Sequence, residues 1–136
     1  ITERSTETDK HIFAKMLYDE GNMTKLEYEI YNYWYNKIIN KNNKKNNIIY
    51  LRTTPNDAFN RINKRDRVEE RKIPIDYIQN VHRYHDDWLV DRKNNCNICY
   101  LDGTDDFQNN EKCKKKIVKN ITIFINSLES RFNLTS

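Results

Sequence analysis

Arg61, Arg65, Arg67 and Arg71 stand four, two and four positions apart in the run R-I-N-K-R-D-R-V-E-E-R, which leads into Ile73 and Pro74. Guanidiniums this close repel one another unless something anionic joins them. A planar guanidinium fork, charged at every physiological pH, suits bidentate contact with phosphate oxygens. Glu69 and Glu70 stand beside that fork, placed to orient the arginines or to accept hydrogen bonds from a sugar hydroxyl. Phosphate handling is the first chemistry this stretch suggests. The plainer alternative is a solvated charged helix face, where Glu–Arg pairs one turn apart contribute only a few tenths of a kcal/mol.

The elements on either side must position that cluster. Ile12, Phe13, Met16 and Leu17 follow helical spacing, and Gly21 supplies a stop. Thr24-Lys25-Leu26-Glu27 is a capping box for a second helix striped by Leu26, Ile30, Trp34 and Ile38, with Tyr33 widening the stripe. The polar run Lys41–Asn47 reads as a spacer loop. Ile48–Leu51 is short, continuous and apolar, as expected of a buried parallel strand. Thr54 as cap and Pro55 at the first helical position open a helix that runs straight into the arginines. Pro74 opens another, with the stripe Ile75, Ile78, Val81, His85, Trp88 and Leu89. Ile98–Leu101 is a second strand, ending at Asp102-Gly103. The last helix places Ile117, Ile121, Phe124, Ile125, Leu128 and Phe132 on one face. Strands alternating with helices predict an α/β layer fold with a parallel sheet, whose ligands sit beyond the carboxyl ends of the strands. Three polar segments occupy such ends: Glu3-Arg4-Ser5, the residues after Leu51, and Asp102–Phe107. His82, His85, Trp34 and Trp88 read as packing residues.

Composition narrows the chemistry. With 24 Lys and Arg against 20 Asp and Glu in 136 residues, the net charge is only +4, far from a nucleic-acid-binding extreme. No apolar run approaches a membrane span, and the opening I-T-E-R-S shows neither a secretory leader nor a starting Met. Cys96, Cys99 and Cys113 are odd in number. Cys96 and Cys99 are three apart on a predicted strand and point to opposite faces, poor geometry for one metal, and no second pair completes a zinc site. Reduced thiols in the cytoplasm are the expectation.

Taken in order, six segments resemble the deoxynucleoside kinase family, the relatives of deoxycytidine and deoxyguanosine kinases. They are E-R-S-T-E-T-D-K-H-I-F-A-K-M-L-Y at Glu3–Tyr18, I-Y-N-Y-W at Ile30–Trp34, I-I-Y-L-R-T-T-P at Ile48–Pro55, the arginine run from Arg61 to Pro74, V-H-R-Y-H-D-D-W-L at Val81–Leu89, and L-D-G-T-D-D-F at Leu101–Phe107. The resemblance spans most of the chain. It implies an α/β, P-loop kinase-like three-layer fold with a parallel sheet, here an incomplete, mostly helical C-terminal part with two short strands. The lid falls at about 61–73 and the adenine loop at about 102–107.

The resemblance also implies roles. Glu3 lies near Mg2+, and Arg4 near the substrate 5′-hydroxyl and the transferring phosphate. Asp9 faces the nucleobase; Asp rather than Ala there resembles the deoxycytidine and purine-deoxynucleoside branch. Arg61, Arg65 and Arg67 close over the phosphates of ATP, Glu70 accepts from the sugar 3′-hydroxyl, and Asp106 and Phe107 present backbone groups to adenine. The implied reaction is ATP-dependent phosphorylation of a deoxynucleoside 5′-hydroxyl, in deoxynucleotide salvage. By the same analogy the first two helices form a homodimer contact, with no nucleic acid or membrane partner. A cytoplasmic location is expected, and a mitochondrial one stays open.

Two departures stand out. Asp66 occupies a lid position where relatives often carry a small residue; it either neutralises part of the clamp or points to solvent. A phosphate-binding G-x-x-x-x-G-K-[ST] loop is absent, since the two glycines are Gly21 and Gly103. The chain therefore reads as part of a longer kinase, inactive by itself, with exposed sheet edges and apolar faces. Three rivals remain: a thymidylate-kinase-like nucleotide kinase, a non-catalytic phosphate or nucleic-acid binder, and a structural fragment that binds a partner.

Overall fold

The computed structural model describes residues 5–39, 47–90, 97–107 and 109–133, with the side chains of 131–133 excepted. Its helices surround two parallel strands. Helix α1 (residues 6–19) is continuous, with α-helical turns at Thr6–Thr8 and Lys15–Asp19 flanking a π-helical stretch at Asp9–Ala14. Ser5 caps it by accepting the Thr8 N–H at 3.2 Å. Gly21 ends it in the left-handed region at φ 75°, so that Asn22 and Met23 donate back to the Leu17 carbonyl at 2.8 and 3.0 Å.

Helix α2 (Lys25–Ile39) opens on the predicted capping box. Glu27 accepts the Thr24 N–H at 2.8 Å, and Thr24 Oγ1 accepts the Glu27 N–H at 3.3 Å. Strand β1 (Asn47–Arg52) pairs in parallel with β2 (Asn97–Asp102), with Tyr50 opposite Tyr100 and Arg52 opposite Asp102. Between them lie α3 (Pro55–Arg65), a 3-10 turn at Val68–Glu70, and α4 (Ile75–Leu89). Helix α5 (Glu111–Asn133) follows β2 and packs on it.

The core forms where α1 and α4 cross the sheet. Ile12, Met16, Tyr50, Tyr84, Trp88 and Leu89 are buried there, with Phe13, Ile48, Val81 and Ile98 packed around them. Trp88 stacks on His11 at 5.1 Å, and His85 stacks on Tyr50 at 5.8 Å. Both Trp88 and His85 thus take the packing roles predicted for them. Ile117, Ile121, Phe124 and Leu128 are the half-buried face of α5, whereas Ile125 on the predicted stripe is exposed.

Two expectations about burial fail. Trp34 is 59% exposed, and Leu26, Ile30 and Ile38 of the same stripe are exposed with it. Helix α2 turns Tyr28, Tyr31 and Tyr35 inward instead, while Tyr33 is exposed with the stripe. Tyr28 stacks on Tyr18 at 4.4 Å, Tyr31 donates to Asp9 Oδ2 at 2.6 Å, and Lys10 lies over the Tyr35 ring at 4.0 Å. Phenol groups hydrogen-bond to carboxylates while their rings pack, so this face satisfies the polar start of α1 as an aliphatic stripe cannot. Strand β1 is likewise not buried on both faces, since Tyr50 is buried while Ile49 and Leu51 stay exposed. On that face Leu101 of β2 is buried where α5 packs, whereas Leu51 beside it stays exposed.

Candidate functional site

The carboxyl ends of both strands are joined by their loops. Gly103 N–H donates to the Arg52 carbonyl at 2.8 Å, and Thr53 Oγ1 donates to the Gly103 carbonyl at 3.3 Å. A Cβ on Gly103 would collide with Thr53 Oγ1 and stand 3.0 Å from Leu51 Cγ and 3.1 Å from the Arg52 carbonyl oxygen. Only glycine permits this approach. Asp102 then organises the loop by accepting the Thr104 N–H at 2.9 Å and the Thr104 hydroxyl at 2.6 Å, bonds that hold its carboxyl below the usual range. The Phe107 N–H donates to the Asp105 carbonyl at 2.9 Å, and the Asp106 carboxylate accepts from Asn109 Nδ2 at 2.7 Å. Asp106 and Phe107, the predicted adenine-facing residues, thus sit on an ordered turn.

Arg61 ties the arginine helix to that turn. Its Nη2 donates to the carbonyls of Thr104 and Asp105 at 3.0 and 3.2 Å, and its guanidinium lies 5.8 Å from the centre of the Phe107 ring. The predicted lid and the predicted adenine loop are therefore in direct contact. Helix α3 reaches this position because Thr54 accepts the Asp57 N–H at 3.2 Å and Pro55 begins the first turn, as its sequence predicts.

Two carboxylates of the run occupy Arg65 and Arg71. Arg65 grips Glu70 through Nε–Oε2 at 3.0 Å and Nη2–Oε1 at 2.8 Å. Arg67 approaches Glu70 only to 3.9 Å, and 61% of its side chain is exposed. Asp66, at φ 50°, takes two hydrogen bonds from Arg71, at 2.9 and 3.1 Å. Asp66 therefore neutralises Arg71, while Glu70 neutralises Arg65.

A further charged cluster escaped the sequence reading. Arg52, the last residue of β1, pairs with Asp86 of α4 through Nη2–Oδ2 at 2.7 Å and Nε–Oδ1 at 3.0 Å. Asp86 also accepts from the Tyr50 hydroxyl at 3.1 Å and lies 3.2 Å from His82. Hydrogen bonding to Arg52 holds the Asp86 carboxyl below its ordinary value. The available signal was an arginine ending an apolar strand, where α/β folds place their ligands.

Asp9 belongs to a separate cluster at the α1–α2 contact. Burial and the Asp9 hydrogen bond push the Tyr31 hydroxyl well above its ordinary value, so Tyr31 stays a donor and fixes Asp9 as its acceptor. Glu3 and Arg4 lie outside the described residues, as does Cys96. Of the three strand-end segments expected to converge, the second and third meet; the first is described only at Ser5. Among the described residues no group of three His, Cys, Asp or Glu side chains could hold a metal ion. A cleft of about 420 Å³ lies between α1, the start of α2 and α4, and is lined by none of the predicted site residues. Its cations are already engaged: Lys10 over the Tyr35 ring, Lys15 with Asp19, and Arg83 over the Tyr84 ring.

Parallel strands whose terminal loops meet each other and Arg61 of α3 describe an α/β protein with a guanidinium group at the strand ends. A deoxynucleoside kinase family model matches residues 1–126. The chain is 32% identical over 136 residues to deoxycytidine kinase 2 of Gallus gallus, covering 92% of this chain and 51% of that relative. It is 29% identical over 139 residues to mitochondrial deoxyguanosine kinase of Xenopus laevis, covering 94% and 52%. It is 35% identical over 91 residues to mitochondrial thymidine kinase 2 of Homo sapiens, covering 66% and 34%. This chain belongs to the deoxynucleoside kinase family. It spans about half the length of the first two of these relatives, and its helices and two parallel strands are a portion of the family's α/β P-loop kinase-like fold.

Proposed function

We propose that the whole protein transfers the terminal phosphoryl group of ATP to the 5′-hydroxyl of a deoxynucleoside, in deoxynucleotide salvage. A bond forms between the 5′-oxygen and the γ-phosphorus, the bond to the β-phosphate bridging oxygen breaks, and the hydroxyl proton leaves to a base. Such a reaction asks a protein mainly for positioning and charge neutralisation. The observation that carries the reading is the turn at 65–70, where Arg65 is held by a bidentate carboxylate next to the open guanidinium of Arg67. An incoming polyphosphate can take Arg67 at once and exchange with Glu70 for Arg65.

In this reading Arg61, Arg65 and Arg67 close over the donor phosphates, and Asp106 and Phe107 present backbone groups to adenine. Glu70, once released, accepts from the sugar 3′-hydroxyl, while Asp9, oriented by Tyr31, faces the base. Arg4 attends the 5′-oxygen and Glu3 the Mg2+ ion, whose chemistry when bound is charge neutralisation on the donor phosphates. The exposed stripe of α2 supports a homodimer contact through α1 and α2.

The protein expressed from its complete gene, supplied with ATP, should convert at least one of deoxycytidine, deoxyguanosine, deoxyadenosine and thymidine to its monophosphate. Arg65→Ala should lower kcat by about a hundredfold with a smaller change in KM, because its charge partner is largest in the transition state. Turnover of deoxynucleoside monophosphates alone would transfer the assignment to a thymidylate-kinase-like activity. A folded protein that phosphorylates neither class would end the kinase reading.

A further inference from the structure

The geometry points to Asp66 and Arg71 as a positioning pair that holds the arginine turn in register. The role has a structural side, read in the nucleotide-free protein, and a kinetic side that rests on the kinase reading above. Asp66 is the described non-glycine residue with positive φ, at 50°. Asn and Asp tolerate this left-handed conformation better than most side chains, yet glycine adopts it at less cost. An Asp placed there needs a compensating contact, and Arg71 supplies it through two bonds of 2.9 and 3.1 Å.

The neighbouring pair repeats the arrangement with its charges reversed. Arg65 and Asp66 face Glu70 and Arg71, each residue paired with the one five positions on. Four charges thus cancel two by two across a short turn. Its backbone is closed by Glu70 N–H on the Arg67 carbonyl and Ile73 N–H on the Glu70 carbonyl, both at 3.0 Å. The two pairs differ in what an anion does to them. A phosphate that takes Arg65 breaks the first pair and frees Glu70. The Asp66–Arg71 pair is outside that exchange, so it keeps the ends of the turn together while Arg65, Arg67 and Glu70 change partners.

The test uses the whole protein and the variants Asp66→Asn, Arg71→Gln, the double variant, and Arg71→Lys. Asn retains tolerance for the left-handed backbone while removing the charge, so the pair is tested apart from the strain. In the nucleotide-free protein, amide exchange across 67–72 should quicken about threefold in each single variant and no further in the double, with Arg71→Lys restoring most of the protection. In turnover, kcat should fall about threefold in both single variants, with KM for ATP little changed. Unchanged exchange in all variants would overturn the pairing role. Opposite shifts of KM for ATP in Asp66→Asn and Arg71→Gln would also overturn it, making Arg71 a phosphate ligand screened by Asp66. A wild-type protein without kinase activity would defeat the kinase reading, and the exchange measurement would still decide the pair.

Discussion

Gly103 is where a single methyl group has the most to disturb. The loops after β1 and β2 approach through the Gly103 N–H bond to the Arg52 carbonyl, and an added Cβ has no room beside Leu51, Arg52 and Thr53. Gly103→Ala should destabilise the protein by about 1–3 kcal/mol, the usual range for forcing volume into a packed contact. Urea unfolding of variant and wild type measures this, and equal midpoints would show that the loops can part freely. At the same scale, the residue types and spacing of the arginine run made a charged cluster legible in the sequence. Its internal neutralisation was not, because pairing five residues apart depends on the left-handed turn at Asp66.

Strand β1 and helix α4 are tied by the Arg52–Asp86 fork, at a distance of 34 residues along the chain. Hydrogen bonding to Arg52 lowers the folded-state pKa of Asp86 below its ordinary value. A carboxylate depressed on folding contributes its full stability above the unfolded pKa, and loses it as pH falls through the folded one. Asp86→Asn should therefore cost about 1–2 kcal/mol near pH 7, the lower part of the range for a hydrogen bond to a charged group, since Arg52 is half exposed. The gap to wild type should close as the pH is taken below 4, which melting curves across pH 2–7 would follow. A gap that stayed constant to low pH would mean that charge on Asp86 adds nothing. Helix α2 teaches the complementary point, for its periodicity predicted the helix correctly and its buried face wrongly. Both the aliphatic stripe and the tyrosines at 28, 31 and 35 recur at helical spacing, and the carboxylate of Asp9 favours the tyrosines.

At the scale of the whole molecule, the chain exposes 10700 Å². A compact folded monomer of 16.6 kDa exposes about 7,600 Å². The excess includes Leu26, Ile30, Trp34 and Ile38 on α2, and Ile49, Leu51 and Tyr100 on the sheet. Apolar area of this extent drives association in water. Sedimentation of the isolated 136-residue chain should show species larger than the monomer at micromolar concentration. Trp34→Glu with Ile38→Lys should shift the distribution toward the monomer. A chain that stays monomeric with both residues intact would show that its exposed faces do not adhere. Among the described residues no helix is long and apolar enough to cross a membrane.

The order of strands and helices predicted a parallel pairing, and six ordered segments resembled the family; local rules written into the chain determined the helix starts at Thr24 and Thr54, the stop at Gly21 and the two strands. Each depends on residues a few positions apart, where periodicity and capping act directly. Tertiary structure alone decided which face of α2 turns inward, that Arg61 spans from α3 to the loop after β2, and that Asp86 meets Arg52. Those outcomes depend on which charges and rings the fold brings together across tens of residues, and such distances leave no periodic trace in the sequence.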